Sequence, residues 1–142
     1  MKFALKDPML VNARVESQMG IVRELSSVLD FNSPYCIILR QDAIDMGYPE
    51  ADMKPSGMER AHPDRVFRFA TMAGIQRGLT VKLRKVSIGG LVVRDVDSLV
   101  LELEHPRFIT FEFVLGRSFL KNFKMTVDID KGYLSLLVCK VE

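Results

Sequence analysis

Short runs in which apolar and polar residues alternate recur along most of the chain, and turns rich in glycine or proline separate them. Alternation with a period of two is typical of strands with one buried face, whereas helices place apolar residues three or four positions apart. Arg65 to Thr71 and Leu79 to Val86 show the alternation clearly and predict a long hairpin. Lys124 to Ile129 and Tyr133 to Val141 predict a second hairpin. The pattern predicts an all-β fold, a closed barrel of roughly six to ten strands with one or two short helices.

Two segments share a different order, in which an apolar strand enters a polar turn and then a short helix. In the first, Val28 and Leu29 lead into Asp30-Phe31-Asn32-Ser33, and a helix is predicted over Gln41 to Met46. In the second, Phe113 to Leu115 leads into Gly116, and a helix is predicted over Arg117 to Phe123. Asp30 on its own is also compatible with an ordinary turn or cap aspartate, so its surroundings must decide its role.

Length and charge restrict the classes of protein that fit. A chain of 142 residues predicts a single domain spanning 1–142 with a core of its own. Lys and Arg number 20 against 18 Asp and Glu, which argues against nucleic acid or a membrane surface as the main partner. Met1 to Asp7 lacks the apolar segment of a signal peptide, so we expect a soluble, cytoplasmic protein.

The two cysteines lie in apolar, strand-like runs. We expect Cys36 and Cys139 to be buried thiols in a reducing compartment rather than a disulfide. His62 and His105 each stand next to a proline in predicted loops, and the four residues do not have the spacing of a zinc site. We therefore expect no metal and no cofactor.

Five short segments stand in a characteristic order between Pro8 and Leu137. They are Leu29-Asp30-Phe31-Asn32-Ser33, Ala43-Ile44-Asp45-Met46-Gly47, Thr71-Met72-Ala73-Gly74-Ile75, Val86-Ser87-Ile88-Gly89-Gly90 and Leu115-Gly116-Arg117-Ser118-Phe119-Leu120. In this order the chain resembles the retropepsin-like aspartic proteases, the family of the retroviral proteases and their cellular and prokaryotic relatives. The resemblance implies an acid-protease-like closed β-barrel.

The resemblance also implies a reaction. Aspartic proteolysis needs two carboxylates that share one proton around a water molecule. The chain has one aspartate in the matching motif, so the resemblance implies a homodimer that contributes one Asp30 from each subunit and hydrolyses peptides or proteins. Met72, Ala73, Gly74 and Ile75 would form the flap over the substrate groove, although a plain hairpin end is the alternative.

The motif around Asp30 departs from the Asp-Thr-Gly of the family. Phe31 replaces the hydroxyl residue, and each hydrogen bond lost there would cost about 1 kcal/mol. Asn32 replaces glycine, and asparagine is the residue other than glycine that best tolerates positive φ. Ser33 is retained, and Leu115 and Gly116 match the supporting structural motif.

Three readings of the function remain open at this point. The first is an active endopeptidase, with Asn32 and Ser33 orienting Asp30. The second is a catalytically inactive domain that uses the protease fold for dimerisation or for binding peptides or proteins. The third is a monomeric barrel without a groove. Two further segments have ordinary structural readings: 50–64 as a loop or insertion, and Arg77, Lys82, Arg84 and Lys85 as the wet face of a strand.

Overall fold

The computed structural model describes residues 1–6, 9–50, 66–71, 74–101 and 111–139, and for 66–71 and 74–78 the description is of the backbone. Within these ranges there are ten strands and two short helices. The strands are β1 Lys2–Ala4, β2 Leu10–Glu16, β3 Val22–Leu29, β4 Cys36–Leu39, β5 Val66–Thr71, β6 Gly74–Ile88, β7 Leu91–Leu101, β8 Phe113–Leu115, β9 Phe123–Asp128 and β10 Tyr133–Val138. The helices are α1 Arg40–Asp45 and α2 Arg117–Leu120.

Six strands close into a barrel in the order β2-β3-β8-β4-β7-β6, because β6 pairs back onto β2. The closing contact joins Arg14–Glu16 of β2 to Lys85–Ser87 of β6 in antiparallel register. These pairs close the ring, and β5 continues outward from β6. The predicted all-β barrel with two short helices is confirmed.

The order of strands places β8 between β3 and β4. Ser27 to Leu29 pair in parallel with Phe113 to Leu115, and Ile37 and Ile38 pair antiparallel with Val114 and Phe113. The chain that leaves β3 must therefore cross the end of β8 before it enters β4. The loop 30–35 makes this crossing, so Asp30 lies beside the residues that follow β8.

The core fills the barrel and is apolar. Its largest fully buried side chains include Phe113, Phe119, Ile38, Met46 and Leu115. Complete burial of such a side chain contributes roughly 1.5–3 kcal/mol relative to exposure. The rings of Phe119 and Phe123 lie 5.1 Å apart, which fixes α2 against the start of β9.

A smaller sheet, β1-β10-β9, contains the predicted closing hairpin. Gly132 has a φ of 75° at its turn, where glycine is strongly favoured. Val127 of β9 and Leu137 and Val138 of β10 are exposed, so the described chain leaves part of this sheet uncovered. Cys36 is buried as expected, but Cys139 follows β10 and is exposed, so the expectation that it is buried was wrong.

Several element boundaries differ from the sequence prediction. The turn predicted over Met72 to Gly78 was too long, because β6 begins at Gly74 and pairs with Thr71. The apolar strand expected to lead into Gly116 is confirmed as β8, Phe113–Leu115. Positions 51–64 of the predicted insertion, both histidines, Met72 and Ala73 lie outside the described residues.

The buried face of β6 and β7 changes partway along the hairpin. In the first part of β6 the buried residues have odd numbers, Val81 and Leu83, and after Leu83 they have even numbers, Val86 and Ile88. The change falls at Asp95 of β7, which has a φ of 54°, a conformation uncommon for any residue but glycine. The break in alternation turns Lys85 and Arg94 toward the outside of the barrel.

Candidate active site

Asp30 is the first residue after β3, and backbone hydrogen bonds hold it on both sides. Its N–H donates to the carbonyl of Leu115 over 3.0 Å, which continues the pairing of β3 with β8. Its carbonyl accepts a hydrogen bond from the N–H of Ser33 over 3.2 Å, which closes the turn. Its carboxylate Oδ1 accepts the N–H of Asn32 at 3.0 Å. The carboxylate is therefore oriented by a backbone donor two residues ahead, as in an Asx turn.

The turn does not require glycine at position 32. Asn32 is not among the residues with positive φ; Asp95 is the non-glycine residue with that conformation in the described ranges. The group that donates to Asp30 is a backbone N–H, which every residue except proline carries. The substitution of asparagine for glycine thus preserves the backbone cradle of the carboxylate.

The segment after β8 also binds the Asp30 loop through a backbone hydrogen bond. The N–H of Arg117 donates to the carbonyl of Ser33 over 2.8 Å. A Cβ atom on Gly116 would collide with the carbonyl oxygen of Tyr35, so no side chain fits there without displacing backbone. The structure thus brings the predicted motif residues Leu115 and Gly116 into contact with the Asp30 loop.

Ser118 is a supporting residue that the sequence analysis did not single out. Its Oγ accepts the N–H of Cys36 at 2.9 Å and donates to the carbonyl of Asp97 at 2.7 Å. One hydroxyl thereby joins α2 to β4 and β7. The signal available in the sequence was its place in the motif Leu115 to Leu120. Burial raises the pKa of the Cys36 thiol, although the hydrogen bond with Ser118 acts in the opposite direction, so this thiol is unsuited to act as a nucleophile.

Phe31 is presented to solvent beside the carboxylate. Its side chain is 62% exposed in the single chain, whereas Asp30 is partly buried. The hydroxyl of Ser33 donates to the carbonyl of Tyr35 at 2.6 Å and so closes its own loop. The hydroxyl hydrogen of Ser33 is therefore used within the loop and is not directed to Asp30.

The predicted flap residues are placed in part. Gly74 and Ile75 are the first residues of β6 and pair with Thr71 and Ala70 of β5. Gly74 is therefore a strand residue rather than the tip of a turn, and Met72 and Ala73 lie outside the described residues.

The described part of the chain offers neither a metal-binding cluster nor a membrane-spanning helix. No group of three or more histidine, cysteine, aspartate or glutamate side chains there has an arrangement that could hold a metal ion. Among the same residues, no helix has the length and apolar character to cross a membrane.

Solved structures share this arrangement of strands. A retropepsin-like aspartic protease from Rickettsia conorii superposes with a TM-score of 0.63 at 16% identity, over 96% of this chain and 88% of that one. The retroviral protease-like domain of Ddi1 from Leishmania major gives a TM-score of 0.53 at 15% identity, over 90% of this chain and 86% of that one. The chain has a retropepsin-like fold. At these identities the similarity establishes the fold alone.

Comparisons by sequence add no further assignment. No protein-family model matches the chain, and no curated protein matches it. The function must therefore be argued from the retropepsin-like fold and from the residues around Asp30.

Proposed function

We propose that this protein is an aspartic endopeptidase that acts as a homodimer, with Asp30 of each subunit at the two-fold axis. The observation that carries the proposal is the backbone cradle of Asp30, in which the N–H of Asn32 orients the carboxylate at 3.0 Å. The backbone hydrogen bonds with Leu115 and Arg117 support it, because they fix the loop at both ends. An oriented aspartate on a retropepsin-like fold is compatible with the aspartic mechanism, in which two such carboxylates activate water.

The chemistry explains why a second subunit is needed. One carboxylate accepts a proton from the water while the other, protonated, donates to the oxygen of the scissile carbonyl. The loop supplies one such carboxylate per chain, so the second comes from a second copy of the chain.

Phe31 supports the dimer and gives it a distinct interface. Phe31 is a large apolar residue that is 62% exposed next to a polar site, and its burial by a partner would stabilise the complex. In the proposed dimer, Phe31 packs across the axis in the place of the hydroxyl hydrogen bonds of the family. The two aspartates would be aligned by ring packing and by each loop's own backbone.

The substrate in this proposal is an extended segment of a peptide or protein. The hairpin of β5 and β6 would form the flap, with Met72, Ala73, Gly74 and Ile75 over the groove. A bound peptide would pair with strand edges through its backbone, so that side-chain pockets set its specificity. The proposed reaction uses water as the nucleophile and requires no cofactor.

The second candidate function is a catalytically inactive domain that dimerises or binds peptides or proteins. Phe31 favours it, because an apolar residue at this position would form a dry interface and exclude the water that a catalytic pair of carboxylates needs. The commitment of the Ser33 hydroxyl to Tyr35 also favours it, because that hydroxyl is then absent from the aspartate.

Cleavage of a diverse peptide library from acidic to neutral pH tests the first candidate, with wild-type protein and the Asp30→Asn variant compared and pepstatin added as an inhibitor. We expect cleavage to fall by about 100-fold or more in the variant, because a proton-transferring carboxylate is lost. Asp130→Asn serves as the matched control, since Asp130 is an exposed turn aspartate. Equal cleavage by Asp30→Asn would refute the assignment, and a folded dimer without cleavage at any pH would favour the second candidate.

A further inference from the structure

A cavity of about 950 Å³ lies on the outside of the barrel, away from Asp30. Strands β2, β6 and β7 form its floor, and the turn after α2 and the end of β10 form its wall. Val22, at the start of β3, also lines it. Asp30 follows the other end of β3, about 25 Å further along at the usual rise of a strand. The cavity is therefore distinct from the candidate active site.

Four cationic side chains line this cavity: Arg14, Lys85, Arg94 and Lys121. None of the four forms a salt bridge with another residue in the described ranges. The one carboxylate of the lining, Glu16, lies 3.8 Å from Nε of Arg84. The cavity thus has an excess of positive charge that the described chain does not neutralise.

The strand register concentrates the charge on the floor. Lys85 pairs with Glu16 on one side and with Arg94 on the other, so the three side chains form a row. Arg14 is two residues before Glu16 and therefore points to the same face. Directly opposed like charges such as Lys85 and Arg94 destabilise a sheet. Lys85 is half-buried, whereas Lys82 and Arg84, expected with it on the wet face of the strand, are exposed.

Most of the remaining lining is apolar, and Ser87 and Asn122 are its polar members. Phe123 begins β9 and is largely buried in the core, whereas Val138 ends β10 and is 67% exposed. Val22 and Val92 lie at the rim and are also exposed. A site with several convergent charges on an apolar wall is typical of pockets for small molecules, and the volume lies within the usual range of about 300–1,000 Å³.

We propose that this cavity binds a phosphorylated small molecule that has an apolar body. The phosphate would lie over the row of Lys85 and Arg94, with Arg14 and Lys121 on either side. Arginine supplies paired N–H donors to phosphate oxygens and lysine supplies a mobile point charge, so the set suits a dianionic head group. The apolar body would pack on Val92 and Val138, which line the cavity and are exposed. This proposal is independent of catalysis by Asp30.

Phenyl phosphate is a suitable probe because it combines the two features, and inorganic phosphate and phenol each carry one of them. Titrations followed by amide chemical shifts locate the binding and give the dissociation constant. We expect phenyl phosphate to bind at least 10-fold more tightly than inorganic phosphate or phenol, with shifts at the cavity residues. Binding should weaken as salt increases, because the attraction between charges is screened.

A charge-matched pair of variants separates the site from general attraction to a basic protein. Lys85→Gln with Arg94→Gln should weaken binding at least 10-fold. If this double variant does not fold, Lys121→Gln, in the turn outside the sheet, takes its place as the test and should weaken binding several-fold. The control, Lys124→Gln with Lys131→Gln, removes the same charge from exposed positions outside the cavity and should leave binding unchanged. Equal loss in the control, or full binding by the cavity variants, would overturn the proposal.

Discussion

Gly116 shows how a single residue sets the geometry of the Asp30 loop. The position has an ordinary negative φ, so the need for glycine comes from space and not from backbone conformation. A Cβ atom there would meet the backbone of Tyr35 and Ser33, neither of which can move without opening the loop. The small size of Gly116 therefore allows the segment between β8 and α2 to approach the loop closely.

We predict that Gly116→Ala lowers the free energy of unfolding by about 1–3 kcal/mol, the usual cost of forcing an extra group into a packed site. Chemical denaturation measures the change. Gly90→Ala is the control, because a Cβ there would meet only the flexible end of Met1 at 3.7 Å. Equal stability of the two variants would show that the loop and the β8 segment are not in close contact.

Phe31 is an interface residue in both candidate functions. We predict that Phe31→Ser weakens self-association by about 10-fold or more, because an apolar residue at the centre of an interface typically contributes most to binding. Sedimentation equilibrium of both proteins measures it. Met19→Ser is a suitable control, since Met19 is 49% exposed in the turn between β2 and β3. A dimer unchanged by Phe31→Ser would place the interface elsewhere.

At the scale of the element, the row of charge across β2, β6 and β7 has a consequence for stability. We predict that Arg94→Glu raises the free energy of unfolding by about 0.2–1 kcal/mol, because it replaces a directly opposed like-charge pair with an attractive one. Denaturation at low and high salt measures the gain, which should shrink as salt screens the charges. Lys124→Glu changes the net charge equally and should give no such gain; an equal gain there would attribute the effect to net charge.

The hairpins show which elements can be predicted from sequence. The β9–β10 hairpin was predicted correctly, because alternation and a turn containing Gly132 are both local signals. Strand β1 was not predicted, because its three residues have no pattern of their own and pair only with distant β10. The length of β6 was also missed, since the residues after Ala73 resemble a flexible turn until they pair with β5.

The candidate site was predictable to a similar extent. The order of motifs was sufficient to place Asp30, Leu115 and Gly116 together, and the structure shows them in contact. The role of the Ser33 hydroxyl was not predictable, because its bond to Tyr35 depends on the exact path of the loop. The cationic cavity was not predicted either, since it depends on the register of β2, β6 and β7, which joins distant parts of the chain.

At the scale of the whole molecule, the closed barrel explains why one chain is half of the proposed catalyst. β6 pairs back onto β2 to close the ring, and β8 lies between β3 and β4, which the Asp30 loop connects. Each chain thereby presents one oriented carboxylate and an exposed Phe31 at the same place. Symmetric pairing of two such surfaces is the commonest form of oligomer and brings two identical loops together.

Mixing wild-type protein with the Asp30→Asn variant at constant total concentration tests the shared pair of aspartates most directly. After subunit exchange, mixed dimers have one carboxylate and are inactive, so cleavage should follow the square of the wild-type fraction. An equal mixture should retain about one quarter of the activity of the wild type. Retention of about one half, the value for chains that act independently, would contradict a site shared between subunits, and absence of cleavage by the wild-type dimer itself would contradict an active protease.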